Sequence, residues 1–299
     1  MALSLDGVAV LDAIARKGSF AAAADELHRV PSAITYAVQK LEEDMGVALF
    51  DRSGHKATLT DAGAELLREG RNLLRAAAAL EARVQQVARG YEPELRIAVS
   101  DLIPMERLHP LLKEFYLEAC GTRLRLSTEV YGGSWDALTT GRADLVIGAP
   151  GEGPSGGGYA EREMGRVEFE FVVAPLHPLA VAPEPLRSEQ ILHHRAVSAA
   201  DSSRNLPPRT SGLLSGQDVL TVPDLHAKLA AHRDGLGVGY LPRSLALEEA
   251  AAGRLVIKQV EEPKPATQLS LAWHSGCGRA ARWFVDRLSD KAVLDMLLP

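Results

Sequence analysis

Apolar positions recur at helical spacing through the first ninety residues and then give way to strand-like runs. Residues 5–15 place Val8, Leu11, Ile14 and Ala15 on one face of a first helix. Phe20, Ala23, Ala24 and Leu27 mark a short second helix, which Ser19 can cap behind Gly18. Its run of alanines leaves little side-chain bulk, so another helix can cross it closely. His28-Arg29-Val30-Pro31 breaks the pattern, and Pro31 suits the first turn of a third helix, where its missing N–H costs little. There Ile34, Val38, Leu41 and Met45 share one face, while Ser32, Thr35, Tyr36, Gln39 and Lys40 fall largely on the other. Met45, Val47, Leu49 and Phe50 are expected to close this three-helix core. Residues 61–89 then read as one long helix of roughly 40 Å. Its leucines and valines, from Leu66 to Val87, exceed what so small a domain can bury, which calls for packing against the chain's larger half or against a partner chain.

Gly90-Tyr91-Glu92-Pro93 ends that helix and forms a hinge. Residues 94–100 are a buried-strand run and 104–116 are helical. An alternating strand comes next over 123–130, then a short helix over 134–139 and an apolar strand over 143–148. Strand alternating with helix predicts a largely parallel sheet.

A chain of 299 residues has room for two to three domains, and 46% apolar with 24% charged residues is ordinary for a globular protein. The net charge of −6 excludes a wholly basic nucleic-acid binder. Residues 1–90 hold eleven Lys and Arg against twelve Asp and Glu. Any DNA binding would have to rest on placement and dimerisation, with steep salt dependence. Cys120 and Cys277 are too few for a disulfide scaffold or a zinc site. His193, His194 and His226 match no standard metal-ligand spacing, so neither metal nor cofactor is expected. The chain has no Gly-x-Ser-x-Gly elbow and no recognisable pair of catalytic carboxylates, which argues against an enzyme. Residues 150–158 are glycine-rich but lack the Lys-Ser/Thr of a phosphate loop, and read as a mobile loop near the hinge. No basic-then-apolar leader and no apolar run of membrane length is apparent, so the expected location is the cytoplasm, without a membrane partner.

The third helix has unusual exposed chemistry. Ser, Thr, Tyr and Gln at its start can hydrogen-bond base edges and phosphates, as the second helix of a helix-turn-helix does in the major groove. Next along the chain come Leu41-Glu42-Glu43-Asp44-Met45-Gly46, then Leu49-Phe50-Asp51-Arg52, then Leu59-Thr60-Asp61-Ala62-Gly63. Over residues 3–63 these segments resemble the N-terminal domain of LysR-type transcriptional regulators, in the same order and spacing. The resemblance implies a winged helix-turn-helix over residues 1–60. Ser19, Arg29, Ser32, Ala33, Thr35, Tyr36, Gln39 and Lys40 would face double-stranded DNA, and a two-stranded wing would carry Arg52, His55 and Lys56 to phosphates. It further implies a linker and dimerisation helix over 61–90, a homodimer or tetramer, roughly palindromic sites, and RNA polymerase as a further partner. The chain departs from the common family pattern at Val30-Pro31-Ser32-Ala33-Ile34-Thr35-Tyr36: the proline comes one place early and a tyrosine replaces the arginine. Guanine reading by an arginine at position 36 is thus not available.

Residues 95–100, 137–148 and 235–242 resemble the effector-binding half of the same family. The implied architecture is α+β and multidomain: a winged helix-turn-helix, a long linker helix, then a two-lobed α/β effector domain of periplasmic-binding-protein type over 94–299. Lobe 1 would hold residues 94–165 and 267–299, and lobe 2 residues 166–266. Trp273 and Trp283 are expected to pack lobe 1. In such folds a ligand sits in the crevice at strand C-terminal ends. The expected lining is Ser100, Asp101, Leu102 and Ile103, then Gly132, Gly133 and Ser134 at a helix start, then Gly148 and Ala149, with Ser202, Ser203, Thr221 and Val222 from lobe 2. Small and hydroxyl residues dominate, which suits an organic acid or a small aromatic effector. Asp101 either caps the next turn or faces the crevice, where it would repel a carboxylate and favour an amine or phenol hydroxyl. The alternative function is a small-molecule-binding protein of the cytoplasm with an accessory helical domain; residues 19–63 are the feature it does not need.

Overall fold

Ser4 opens the first helix, α1 (Leu5–Lys17), by accepting the Gly7 amide at 3.0 Å, and Gly18 closes it in the left-handed conformation. The computed structural model describes residues 3–51, 58–118, 120–155 and 158–298. Ser19 then caps α2 (Phe20–Glu26) through the Ala22 amide. Pro31 stands at the start of α3 (Pro31–Met45). Ala23 and Ala24 are fully buried, which lets α2 lie close to α1 and α3. Val10, Leu11, Ile14, Ile34, Val38 and Leu41 fill the core of this three-helix unit, with Leu49, Phe50 and Leu67.

Met45 and Val47 do not close that core as expected; they are 40% and 44% exposed. Gly46, at φ 69°, ends α3 in a tight left-handed turn, and both apolar neighbours sit on the outside of it. Leu49 and Phe50 are buried instead, because the Glu42 carboxylate accepts both of their amides, at 2.8 and 3.1 Å. A short antiparallel pair comes next, β1 (Phe50–Asp51) with β2 (Thr58–Leu59). Arg52, His55 and Lys56 lie outside the described residues. Thr60 caps the long helix α4 (Asp61–Ala88) by accepting the Gly63 amide while its hydroxyl donates to Ala48 O at 2.8 Å. Along α4, Leu73, Leu80, Val84 and Val87 are exposed.

The chain divides into two compact units, Met1–Gln85 and Gln86–Pro299. The second begins with β3 (Glu94–Ser100), a 3-10 turn at Met105–Leu108, α5 (His109–Leu117), β4 (Arg123–Glu129), α6 (Gly133–Thr139), β5 (Leu145–Pro150) and β6 (Tyr159–Val167). The chain then enters a second lobe through β7 (Phe169–Val173), α7 (Ser188–Leu192), β8 (Ala196–Ala199), β9 (Val219–Val222), α8 (Leu225–Arg233), β10 (Gly239–Pro242), α9 (Arg243–Ala251) and β11 (Val256–Lys258). It returns to the first lobe with β12 (Thr267–His274), α10 (Arg279–Arg287) and α11 (Lys291–Leu297).

The five-stranded sheet of the first lobe has the order β4-β3-β5-β12-β6. β3 runs parallel to β4 and β5, while β12 is antiparallel to both β5 and β6. Four of the five strands, β4, β3, β5 and β6, therefore run the same way, as the alternation of strand and helix predicts, and β12 alone opposes them because it re-enters the lobe in the opposite sense. Leu95, Ile97, Leu145, Ile147, Leu269 and Leu271 pack beneath α5 and α10. Trp273 and Trp283 pack against this cluster, Trp283 edge-on to Phe115 at 5.2 Å. In the second lobe, β7 is central between β10 and β11, and β8 pairs in parallel with β9.

Candidate functional site

The outward face of α3 is built as its sequence pattern demands. Ile34, Val38 and Leu41 turn inward, and Ser32, Tyr36, Gln39 and Lys40 are exposed, Tyr36 by 65%. Ala33 and Thr35 are half-buried. The Thr35 hydroxyl donates to Pro31 O one turn back, at 3.1 Å, so toward a partner it can only accept. Arg29 is held by Asp6 through two hydrogen bonds of 2.9 and 2.7 Å. It has to exchange that carboxylate to reach a phosphate. The Ser19 oxygen caps α2, and its hydrogen remains free to donate.

The second unit holds a cavity of about 170 Å³ on the seam between its two lobes. Asp101, just after β3, accepts the Leu225 amide at 3.2 Å. A carboxylate of the first lobe thereby caps a helix of the second, which Asp224 also caps through the Ala227 amide. Burial pushes the Asp101 carboxyl up to about 6. One turn into α8, Lys228 is only 6% exposed and lines the cavity. Burial draws its ammonium down to about 8, against the opposing pull of Asp101. Lys264, on the segment returning toward the first lobe, places Nζ 3.5 Å from the ring centroid of Phe169. Burial, then the charge of Lys228, hold it down at about 7. The Arg209 guanidinium donates to the carbonyls of Pro150 and Glu152, both at 3.2 Å. Tyr131 and Tyr240 complete the aromatic wall. Tyr131 has φ 48°, a left-handed conformation that a bulky residue adopts only when its surroundings enforce it.

Of the residues expected in the crevice, Asp101 and Leu102 line this cavity. Asp101 does not cap the turn after it; its bond to Leu225 reaches the other lobe. Ser100, Ile103, Gly148 and Ala149 are buried in the packing behind the wall. A Cβ on Gly148, at φ 81°, would come 2.6 Å from Ile103. Gly132, Gly133 and Ser134 are not open to an anion either, because the chain supplies its own. The Gly132 amide donates to Asp201, and Ser202 sits against Gly133 with its hydroxyl donating to Glu129 at 2.6 Å. Ser134 is fully buried. Asp136 fixes the same strap by accepting the amides of Arg204, Asn205 and Leu206. Asp201 and Ser202 thus fasten the segment after β8 to the first lobe, and Ser203, whose amide donates to Asp201, packs behind them. Thr221 and Val222 lie in β9, off the cavity wall.

The charged residues of the wall were missed: Lys228, Lys264 and Arg209. A signal existed for the first. Leu225, Lys228, Leu229 and His232 fall at i, i+3, i+4 and i+7, so a lysine and a histidine share the apolar stripe of α8. His232 is fully buried, with Nδ1 3.1 Å from Gly237 O. Lys264 and Arg209 lie in irregular segments, where no periodicity marks a buried face.

Residues 5–64 match the bacterial regulatory helix-turn-helix family of lysR type, and residues 88–293 match the LysR substrate binding domain. The chain belongs to the LysR family. These LysR-family proteins are DNA-binding regulators with an effector-binding domain. The HTH-type transcriptional regulator YeeY of Escherichia coli is 41% identical over 285 residues, covering 95% of this chain and 92% of its own. PunR of Escherichia coli, also an HTH-type transcriptional regulator, is 38% identical over 287 residues, covering 96% and 93%. Among solved structures, a probable transcriptional regulator from Pseudomonas aeruginosa superposes with a TM-score of 0.65 at 23% identity, covering 96% of this chain and 97% of the other. The two-part architecture of this LysR protein is therefore that of the family. Among the described residues, no helix is long and apolar enough to cross a membrane, and no cluster of side chains suits a metal ion.

Proposed function

We propose that this LysR-type regulator reads roughly palindromic promoter sites through α3 and its wing, as a dimer joined along α4, and that a small molecule in the interlobe cavity changes that reading. The observation that carries the proposal is the bond from Asp101 to the Leu225 amide across the cavity. A ligand there touches both lobes and biases their closure. Ser32, Thr35, Tyr36, Gln39 and Lys40 read or position the DNA. Arg29 and Ser19, with Arg52, His55 and Lys56 of the wing, contact phosphates. Asp101, Leu102, Tyr131, Lys228 and Lys264 hold the effector. Leu73, Leu80, Val84 and Val87 supply the stripe along α4 that a second chain covers, with Leu80 60% exposed. Contacts between effector domains join two dimers into a tetramer, and the DNA target sets the work in the cytoplasm, beside RNA polymerase.

Coupling between two sites is reciprocal, so effector and DNA must alter each other's affinity by the same factor. Genome-wide capture of DNA by the purified protein supplies the site. Titrating that site with and without a saturating effector then tests the coupling, and equal DNA affinities would refute it for that compound. Leu80→Glu with Val84→Glu is expected to give monomers in sedimentation; an unchanged oligomer would remove α4 from the interface.

A further inference from the structure

Lys228 is an unusual residue to bury. It is 6% exposed, and among the described residues nothing donates to, accepts from or ion-pairs with its Nζ at short range. Lys228 Nζ is not sealed in the core; it opens into the cavity, and the burial of its stem still disfavours the charge. A methionine would fill the same volume without that cost, so the charge is placed where a ligand in the cavity can reach it. The cavity repeats this imbalance. Lys264 has the ring of Phe169 as its neighbour and no carboxylate in contact. Arg209 is satisfied by two neutral carbonyls. Against these three cations stands one carboxylate, Asp101, already engaged with the Leu225 amide.

The rest of the wall combines the rings of Tyr131, Phe169 and Tyr240 and the side chain of Leu102 with the hydroxyl residues Thr210, Ser211 and Thr267. The space is about 170 Å³. An engineered protein cavity of about 150 Å³ accepts benzene, so one ring with a small substituent is the right scale here. We propose that the effector is a single-ring aromatic carboxylate, its anionic group held by Lys228 and Lys264 and its ring packed against Tyr131 and Tyr240. This rests on the reading of the interlobe cavity as the effector site. Asp101 acts electrostatically on both lysines, so it shares them with the bound carboxylate and accepts from a ring hydroxyl or amine where one is present. Asp101 therefore selects among aromatic acids without excluding them.

The test is calorimetric titration of the full-length protein with benzoate, 4-hydroxybenzoate, anthranilate and nicotinate, each beside its carboxamide. At least one acid is expected to bind one per chain, with its amide at least tenfold weaker. Lys228→Met and Lys264→Met are each expected to weaken that acid at least tenfold, while the unliganded Lys228→Met protein melts no lower than the parent. Failure of every acid to bind, or an amide binding as tightly as its acid, overturns the proposed class. Undiminished acid affinity in both methionine variants overturns the assignment of the anion to these lysines. Thr210→Trp, on the exposed rim of the cavity, separates the two readings. Acid binding lost in this variant supports the cavity as the site. Acid binding that survives it places the ligand elsewhere, and then the cavity reading itself falls.

Discussion

Asp101 Oδ2 lies 3.2 Å from the Leu225 amide nitrogen and accepts its hydrogen bond, joining the end of β3 in one lobe to the first turn of α8 in the other. Both residues line the cavity that Lys228 and Lys264 also line. Burial raises the Asp101 carboxyl to about 6 from its ordinary 3.8. Between those values the folded chain binds more protons than the unfolded one. This residue's contribution is therefore most favourable below about pH 4 and is lost as pH rises through about 6. Asp101→Asn is expected to abolish that term. Melting temperatures of parent and variant, compared from pH 4 to 7, should converge or cross toward the variant as pH rises. A constant difference across that range would show that the carboxyl does not titrate there.

Tyr36 stands where an arginine is common in the family, and its side chain is exposed on α3 beside Gln39 and Lys40. Tyr36→Ala is expected to lower affinity for the cognate site by ~1–3 kcal/mol, with folding nearly unchanged. Thr35→Ala should have a comparable effect if its oxygen accepts from a base. Lys56→Ala should instead weaken cognate and random DNA alike and flatten the salt dependence. Band-shift titrations at two salt concentrations distinguish these. Loss of folding in Tyr36→Ala, with the DNA affinity of the folded fraction intact, would return Tyr36 to the core.

Glu249 on α9 is fully buried and accepts from Arg233 at 2.6 Å and from Arg254 at 2.7 Å. The hydrogen bonds from Arg254 and Arg233 hold its carboxyl at about 2, well below its ordinary 4.5. Its stabilisation is present above about pH 4.5 and is lost as pH falls toward 2. Glu249→Gln leaves two arginines facing a neutral amide and is expected to cost ~1–3 kcal/mol near neutrality, since both guanidinium groups still reach solvent. The variant should also lose less stability than the parent on acidification through this window. Parallel acid titrations followed by circular dichroism check both parts, and identical acid profiles would exclude Glu249 as their cause.

The N-terminal helices were legible because every level of the sequence agrees there. Ser19 caps α2, Ala23 and Ala24 permit the crossing, and Ile34, Val38 and Leu41 repeat at helical spacing on a face that is indeed buried. Met45 fits the same spacing yet is exposed, since Gly46 ends the helix before that face finds a partner. In the second unit β3 and β5 are runs of apolar residues and β4 alternates, so all three were marked in the sequence. The edge strand β6 carries Glu161, Arg162 and Glu163, and its polar composition concealed it. The cavity was read from small residues after strands, but those residues are small because chain packs on them: Ser202 against Gly133, Ile103 against Gly148. The residues facing the open space are long and charged. Arg209 and Lys264 get there through irregular segments whose path no local pattern encodes.

Gly63 opens α4, and its place there is dictated by the wing that precedes it. A Cβ built on Gly63 falls 2.1 Å from Leu49 O and 3.0 Å from both the Leu49 carbonyl carbon and Leu59 Cδ2. Leu49 O is not free to retreat, because it accepts the Thr60 amide at 3.0 Å, while the Leu49 amide is bound to Glu42. Alanine is favoured over glycine inside a helix by ~1 kcal/mol, yet here a backbone atom occupies the space the methyl needs. Gly63→Ala is expected to destabilise the N-terminal unit by ~2–3 kcal/mol, the upper part of the range for overpacking. Gly70 supplies the control: its added Cβ would meet only a side-chain methyl, Val8 Cγ1 at 2.5 Å. Gly70→Ala should therefore be rescued by Val8→Ala, whereas no side-chain truncation rescues Gly63→Ala. Thermal melts of Gly63→Ala, Gly70→Ala, Val8→Ala and the Gly70→Ala, Val8→Ala double variant, with DNA affinity as a second readout, decide the matter. A Gly63→Ala protein that melts like the parent would mean that α4 can shift away from Leu49 at little cost, and that the wing is not fixed to the helix by this contact.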